Sequence, residues 1–365
     1  MNGLEYLAPD AGREGPPVVI FGPFDRHNLG DLLFPHLAID RLKARRWICA
    51  GLVERDLTAD GGHRVVAFSR LAQEWRSQWG PLPMHVIHPG GEILTADAYA
   101  CAVMILPPEQ AGRMLSHPQS AEGARRAWAR QALGVARGLP YVLGSTDCDG
   151  QRIFAGVGGV DLLLLPAALQ DEARRALAGA AYVSVRDGAT QSILEGWGIA
   201  APLEPDPVSR LPQACGSQVA AAGKVARQAL GLEEGAYGVV HVSAEWGDDL
   251  SLATVAAECR KFGEPGLPWV VLGVGYAPWH DDPRVLARLA DGLGRDARLF
   301  TGRQVWRISG LLAGARQVVS TSLHARIVAE AYQVPAWSLV RDGGQGAKLR
   351  AYVETWWGGS RLLNL

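Results

Sequence analysis

A histidine at the start of a predicted helix is a candidate for chemistry on an anion. His324 follows three hydroxyl residues, 320–322, that suit a helix cap, and the apolar residues after it recur at helical spacing. Backbone N–H groups at a helix start bind anions, and the helix dipole opposes protonation of an imidazole unless an anion compensates. The pattern therefore predicts an imidazole beside an anion site. The alternative is a polar residue of the cap region with no role in catalysis.

An arginine stands where a predicted strand, 182–185, ends and a helix begins. In a parallel sheet this position lies at the carboxyl edge, where ligands bind. The guanidinium of Arg186 can hold a phosphate or carboxylate through two hydrogen bonds. We therefore predict that Arg186 points into a ligand cleft between domains. The alternative is a surface pair of Arg186 with Asp187, in which Asp187 caps the following helix.

The loop after the first predicted strand, residues 21–31, is a second candidate for ligand binding. Its side chain Asn28 and its backbone N–H groups would line the substrate cleft. Gly30 suits a tight turn and Asp31 suits a helix N-cap. The alternative is that all three residues only shape and cap this connection.

A glycine pair follows another predicted strand, 85–88. Gly90 and Gly91 would let a ligand approach the backbone closely, and Glu92 would act as a base for a sugar hydroxyl. A capping or solvated carboxylate is the alternative interpretation of Glu92.

The elements that must position these residues alternate between short apolar runs and amphipathic stretches along the whole chain. Most of the runs are continuous, which is typical of strands that are covered on both faces of a parallel sheet. The sequence therefore predicts an α/β protein with two Rossmann-like, doubly wound domains that face a cleft. Prolines near 205–212 mark the junction, so we predict domains at 1–210 and 235–342. The remaining segment, 343–365, would pack back across the junction.

Some of the predicted elements in the first half rest on apolar composition alone. The runs 102–106 and 141–144 are predicted as strands, and the glycine-rich residues 156–160 as a loop that leads into a buried segment.

Composition excludes several classes of function. The 365 residues carry 36 Lys and Arg against 37 Asp and Glu, which does not fit a nucleic-acid binder that works by bulk charge. The sequence lacks the P-loop, the G-x-S-x-G elbow, H-E-x-x-H and a G-x-G-x-x-G that opens a helix. Its five cysteines are scattered, so neither a disulfide framework nor a zinc site is indicated. Since neither a leader nor a long apolar run is visible, we expect a cytoplasmic protein. Since the sequence shows no spaced set of His, Cys and Asp ligands and no cofactor motif, we expect neither a metal nor a cofactor.

In their order, these motifs resemble the polysaccharide pyruvyltransferase family. The matching features are NLGD at 28–31, the glycine pair at 90–91, SVRD at 184–187, the pair 206–207, SLHARIVAEAYQVP at 322–335, and Lys348.

The resemblance implies a GT-B-like fold and transfer of the pyruvyl group of phosphoenolpyruvate to two hydroxyls of a sugar, without metal or nucleotide. The N-terminal domain would hold the acceptor and the C-terminal domain the donor. His324 would be the general acid. The donor would be bound by a set of five residues: Arg186, Ser322, Leu323, Arg326 and Lys348.

One position departs from the family pattern. The family usually has Arg-Leu-His where this chain has Ser322, Leu323 and His324, so one guanidinium is missing. Arg326, four residues after Ser322, would compensate in part because it lies close to the same helical face.

The acceptor implied by the resemblance is a sugar, free or linked to a glycolipid, and a lipid carrier would bring the protein close to a membrane surface. Two alternatives stay open from the sequence. One is a GT-B glycosyltransferase that uses a nucleotide sugar. The other is a family member with a degenerate site, either with another donor or a small-metabolite acceptor, or acting only as a binding protein.

Overall fold

The computed structural model describes residues 3–116, 122–263, 266–341 and 346–365. The chain forms two compact units. The first unit contains Met1–Arg26, Asp31–Thr58 and Gly62–Pro207. The second unit contains Val208–Leu365 and two short pieces of the N-terminal half, His27–Gly30 and Ala59–Gly61. We describe each unit separately.

Unit 1 is built on a seven-stranded sheet in the order β3-β4-β2-β1-β5-β6-β7. Its central strands β1 and β5 are wholly buried and are apolar except for His88, as expected for a parallel sheet that is covered on both faces. Only the short β3 runs antiparallel to its neighbour. The strands are β1 (Val18–Phe21), β2 (Trp47–Gly51), β3 (Arg55–Asp56), β4 (Arg64–Ala67), β5 (Val86–His88), β6 (Arg152–Val157) and β7 (Tyr182–Val185).

Helices connect these strands. They are α1 (Leu29–Leu42), α2 (Phe68–Trp79), α3 (Ala98–Met104), α4 (Pro108–Ser116), α5 (Glu122–Leu133), α6 (Ala167–Ala178) and α7 (Gly188–Gly196). The core of unit 1 includes Phe21 of β1, Phe154 of β6 and Leu194 of α7, all with almost no exposed surface.

Unit 2 is built on a six-stranded parallel sheet in the order β10-β9-β8-β11-β12-β13. Its strands are β8 (Gly238–His241), β9 (Trp269–Leu272), β10 (Ala297–Phe300), β11 (Gln317–Ser320), β12 (Ala336–Val340) and β13 (Leu362–Asn364). Its helices are α8 (Leu211–Leu230), α9 (Asp249–Phe262), α10 (Pro283–Leu293), α11 (Val305–Ala313), α12 (Leu323–Ala331) and α13 (Ala347–Trp357).

Both parallel sheets follow the Rossmann strand order 3-2-1-4-5-6. The order reverses between β1 and β5 in unit 1, and between β8 and β11 in unit 2. Ligands of such sheets bind beyond the carboxyl ends of the strands at the point of reversal. The loops after β1, β5, β8 and β11 are therefore the places where a site is expected.

Three local predictions in the first half of the chain are wrong. The run 102–106 lies largely in helix α3, and 141–144 forms a turn and irregular chain where a strand was predicted. Gly156 and Val157 belong to strand β6, so the predicted loop begins two residues later. Apolar composition identified burial correctly at 102–106 and 141–144, but it does not distinguish a strand from a buried helix. The segment after the glycine-rich residues is not the buried one that was predicted, because Leu163 and Leu164 are 58% and 81% exposed.

The boundaries of the units differ from those expected from the sequence. Unit 1 ends at Pro207, and helix α8 occupies most of residues 211–234, which the sequence analysis left outside both domains. The C-terminal segment, predicted to pack across the junction, is part of unit 2, where β13 pairs with β12. Residues 343–345, at the start of that segment, lie outside the described residues.

Candidate functional site

The turn between β11 and α12 in unit 2 carries His324 in the first turn of the helix. Ser322 is the N-cap, and its Oγ accepts a hydrogen bond from the backbone N–H of Ala325 at 3.3 Å. Leu323 is almost fully buried, whereas His324 is partly exposed. The cap and the buried leucine therefore fix the start of the helix and leave the imidazole at its surface.

Gly30 provides the surface on which the imidazole of His324 packs. A Cβ atom added to Gly30 would overlap the His324 ring, so only glycine leaves room for this contact. The neighbouring Asn28 forms an antiparallel β-bridge with Gly275, and the N–H of Leu29 donates to the carbonyl of Val274 at 2.7 Å. Two parts of the chain far apart in sequence thus form the surroundings of His324 within unit 2.

A buried histidine and aspartate lie behind the same turn. His241, the last residue of β8, contacts Asp281 through Nε2 at 2.9 Å and Ser320 through Nδ1 at 3.0 Å. The Oγ of Ser320 also accepts a hydrogen bond from the N–H of Ser322 at 2.9 Å. Both residues of the His–Asp pair have side chains that are 2% exposed. Burial raises the pKa of Asp281, but His241 and two backbone N–H groups lower it by more, so the net pKa lies below its ordinary value.

Unit 1 contains a buried cluster of one arginine and two carboxylates. The Nη1 of Arg186 donates to Asp206 at 2.9 Å, and its Nη2 donates to Glu92 at 2.6 Å. The side chain of Arg186 is 1% exposed and that of Asp206 is not exposed, whereas Glu92 retains 18%. Burial lowers the pKa of Arg186, but the two carboxylates raise it by more, so the guanidinium stays charged.

The loops around this cluster explain its shape. Gly90 and Gly91 have φ angles of 102° and 90°, a region that favours glycine, and the carbonyl of Gly91 accepts from the N–H of Gly158 at 2.8 Å. A Cβ atom at Gly158 would overlap the carboxylate of Glu92. The other oxygen of Glu92 accepts from the N–H of Val160 at 2.9 Å. Glu92 is thus held at both oxygens.

Asp31 belongs to a third polar cluster, at the carboxyl end of β1. It lies 3.8 Å from the Nε of Arg26, whose Nη1 donates to the hydroxyl of Tyr141 at 2.9 Å. Asp25 accepts the N–H groups of Leu52 and Val53 on one oxygen. Because α1 begins at Leu29, Asp31 lies inside the first helical turn, and the predicted N-cap role is wrong.

A cavity of about 490 Å³ lies in unit 1, beside the end of β1. Its apolar wall includes Phe21 and Phe68, and its polar lining includes Gln73 and the ion-paired Arg137 and Asp147. Its size and mixed lining are typical of a small-molecule site, although no motif in the sequence pointed to it.

The family model for polysaccharide pyruvyl transferases matches residues 158–343, which is slightly more than half of the chain. The chain belongs to the polysaccharide pyruvyl transferase family. The sequence-based identification is therefore confirmed, and family membership makes the protein a transferase that modifies polysaccharides. No curated protein sequence matches the chain significantly.

Solved structures show the fold of this family member. UDP-GlcNAc 2-epimerase from Neisseria meningitidis, bound to UDP-GlcNAc, is 12% identical, with 91% of this chain and 84% of that chain covered and a TM-score of 0.51. The epimerase from Methanocaldococcus jannaschii is 9% identical, with 96% and 88% covered and a TM-score of 0.50. E. coli ADP-heptose LPS heptosyltransferase II is 13% identical, with 96% and 90% covered and a TM-score of 0.44. At these identities the likeness concerns the fold alone, and the two epimerases, with TM-scores of 0.51 and 0.50, confirm two Rossmann-like domains of the GT-B type.

The site residues that we predicted for this pyruvyl transferase family member are found in both units. In unit 2, His324, Gly30 and Asn28 lie together, and Ser322 caps the helix. In unit 1, Glu92 and Arg186 are paired. Asp187 caps α7 by accepting the N–H of Thr190 at 2.7 Å, as the structural alternative predicted.

Arg326 and Lys348, which we predicted to contact the donor, lie apart from the cluster around His324 and Gly30. Arg326 is 1% exposed, and its guanidinium donates to Ser338 and to the carbonyls of Ser360 and Arg361. Burial lowers its pKa to about 10. Arg326 therefore holds the C-terminal segment onto α12, and the idea that it replaces the missing arginine is not supported by these contacts. Lys348 is exposed in the first turn of α13.

The sequence analysis gave no role to several residues that support the site from elsewhere in the chain: Arg26, Gly158, Asp206, His241 and Asp281. Two signals were available, the glycine-rich stretch that contains Gly158 and the pair 206–207 among the family features. Among the described residues there is no group of three or more His, Cys, Asp or Glu that could hold a metal ion. In the same parts of the chain, no helix is both long and apolar enough to cross a membrane.

Proposed function

We propose that this protein transfers the pyruvyl group of phosphoenolpyruvate to two hydroxyls of a sugar acceptor. The observation that supports this most strongly is the family match over 158–343, because that range contains the buried pair of Arg186 with Asp206 and also the His324 turn. The donor itself is the part that the family match leaves open, and it is the subject of the experiment below.

The proposed reaction balances without a further reactant. A proton adds to the methylene carbon of phosphoenolpyruvate, and the resulting oxocarbenium-like carbon is attacked by one sugar hydroxyl. The C–O bond to phosphate then breaks, and a second hydroxyl closes the ketal. The two hydroxyl protons replace the one that was consumed and supply one for the departing phosphate. The reaction therefore needs a general acid, and it needs donors that stabilise the anionic groups.

His324 is the general acid in this proposal. Its ring lies at the start of α12, where the first backbone N–H groups would hold the anionic end of the donor.

Glu92 is the base for an acceptor hydroxyl in unit 1. Its carboxylate is partly exposed and is held by Arg186 on one oxygen and the N–H of Val160 on the other. Since both terminal nitrogens of Arg186 already donate to carboxylates, we revise its role. Arg186 holds the Glu92 carboxylate in place, and its role as a direct donor contact stays a prediction.

Two measurements test this proposal against the nucleotide-sugar alternative. Thermal unfolding is recorded with phosphoenolpyruvate and with a panel of nucleotide sugars, because only a ligand of the native state raises the melting temperature. Phosphate release from phosphoenolpyruvate is then measured over a panel of glycosides and small polyols. We expect stabilisation by phosphoenolpyruvate and acceptor-dependent phosphate release. Stabilisation by a nucleotide sugar alone, with no phosphate release, would refute the proposal in favour of a glycosyltransferase.

A further inference from the structure

The structure assigns Asp281 a positioning role for His324, and this inference rests on the proposed function for its catalytic consequence. Asp281 holds two segments at once. Through His241 it holds the turn that carries His324, and through its own second oxygen it holds the chain against which Gly30 is fixed.

The first connection runs through the imidazole of His241. One ring nitrogen contacts Asp281 at 2.9 Å and the other contacts Ser320 at 3.0 Å. The Oγ of Ser320 accepts the N–H of Ser322, which is the N-cap of α12. A continuous chain of hydrogen bonds thus leads from the Asp281 carboxylate to the first turn of the helix, where His324 lies.

The second connection runs through the backbone after β9. The other oxygen of Asp281 accepts the N–H groups of Val274 at 2.6 Å and Gly275 at 2.8 Å. Val274 accepts the N–H of Leu29, and Gly275 pairs with Asn28. Gly30, which follows Leu29 in the chain, is the residue against which the His324 ring packs. The same carboxylate therefore fixes both surfaces that determine where the imidazole lies.

The protons of this network can be assigned from its partners. Because the Asp281 carboxylate accepts only, Nε2 of His241 carries the proton that it donates to Asp281. The Ser320 oxygen already accepts from Ser322, so its hydroxyl can donate to Nδ1 of His241. The arrangement resembles a hydrolase triad in composition only, since Ser320 has no exposed surface and cannot reach a substrate.

Hydrogen exchange on three variants tests the two connections separately. Asp281→Asn removes the carboxylate that serves both segments, so amide exchange should become about tenfold faster at residues 274–275 and also at 322–325. A glutamine at 241 can keep the contact with Asp281 but not the one with Ser320. His241→Gln should therefore accelerate exchange at 322–325 and leave 274–275 unchanged. If Asp281→Asn fails to fold, Ser320→Ala tests the same chain from its other end.

Tyr237→Phe is the matched control. It removes a buried hydrogen bond in the same unit, from the Tyr237 hydroxyl to the carbonyl of Leu311 at 2.8 Å, just before the amino end of β8. This variant should lose stability without faster exchange at either segment. Equal acceleration in the control, or unchanged exchange in both His241→Gln and Ser320→Ala, would overturn the positioning role.

Kinetics on the folded fraction give the second readout. Misplacement of a catalytic group lowers turnover, so kcat with phosphoenolpyruvate should fall about 10²-fold in His241→Gln. The KM for phosphoenolpyruvate should stay within about threefold, because the backbone N–H groups that bind it remain. A normal kcat in this variant would overturn the catalytic consequence. If the wild-type protein does not use phosphoenolpyruvate, the proposed function fails, while the exchange experiment still decides whether Asp281 holds both segments.

Discussion

At the scale of single residues, the contact between Gly30 and His324 makes the sharpest prediction. Gly30→Ala should lower turnover about 10²-fold, because the new Cβ would displace the imidazole from its surface. The φ angle of Gly30 is not positive, so the substitution adds no backbone strain. Steady-state turnover of the purified variant is the measurement.

Gly292→Ala is the control for that substitution. Gly292 also lies in a helix, α10, and a Cβ there would meet nothing within 4 Å. Alanine should stabilise this helix by about 0.5–1 kcal/mol and leave turnover unchanged. Equal loss of activity in both variants would contradict the role of the Gly30 contact.

His88 makes the protein sensitive to acid. It is fully buried at the end of β5, and its ring stacks on Phe154 with 4.2 Å between centroids. Burial, helped by Arg152 and Arg137, lowers its pKa to about 3. The unfolded chain takes up this proton below about pH 6.5 and the native state does not. This contribution to stability is therefore complete above that pH and declines by about 1.4 kcal/mol per pH unit toward pH 3.

The variant His88→Phe isolates that contribution because it keeps an aromatic ring against Phe154. Urea unfolding is measured at several pH values between 4.5 and 7. Below about pH 6 the profile of the variant should be flatter than that of the wild type by about 1.4 kcal/mol per pH unit. Parallel profiles would show that His88 is not the residue responsible.

Sequence reasoning at this scale succeeded where the evidence is local. The hydroxyl residues before α12 predicted its cap, and the alternative interpretation of SVRD had Asp187 as the cap of α7. The surface position that this alternative gave to Arg186 is wrong, because its side chain is 1% exposed. Sequence reasoning could not identify side-chain partners that come from distant parts of the chain. Arg186 and Glu92 are 94 residues apart, and His241 and Asp281 are 40 apart. Only the fold brings such pairs together, because neither spacing has a helical or strand period.

At the scale of elements, Arg326 links α12 to the C-terminal edge of the unit 2 sheet. Arg326→Lys should lower the free energy of unfolding by about 2 kcal/mol, since one ammonium cannot reach Ser338 and the two carbonyls together. Amide exchange should accelerate in β13 most of all. Urea unfolding and exchange by mass spectrometry are the measurements.

Arg298→Lys provides the comparison, because Arg298 is exposed and bonds only to nearby carbonyls. It should change neither stability nor exchange. A loss of turnover in Arg326→Lys without any loss of stability would instead revive the idea that Arg326 binds the donor.

Elements were predictable where apolar runs are short and bounded by glycine, proline or aspartate. Strand β7, for example, has the predicted limits, 182–185. Strand β10 was missed because Arg298 and Leu299 are exposed, so its sequence does not resemble that of a buried strand. The run 102–106 was misassigned because a buried helix such as α3 is as apolar as a strand.

At the scale of the whole molecule, the two sheets with the same strand order are what strand–helix alternation predicted. Family membership gives the class of enzyme, a transferase that modifies polysaccharides. The relation of each unit to donor and acceptor is a proposal that follows from the residues at the carboxyl ends of their strands.

The proposed pyruvyl transfer is tested most directly by following the central carbon of phosphoenolpyruvate into the product. Phosphoenolpyruvate labelled with ¹³C at its central carbon is incubated with the protein and the best acceptor from the glycoside panel, and NMR is used to detect a ketal carbon. The wild-type protein should form one ketal for each phosphate released, and His324→Gln should do so about 10²–10⁴-fold more slowly while melting normally. A ketal formed equally fast by His324→Gln, or no ketal from the wild type with any acceptor, would contradict the assignment of His324 as the acid of a pyruvyl transfer.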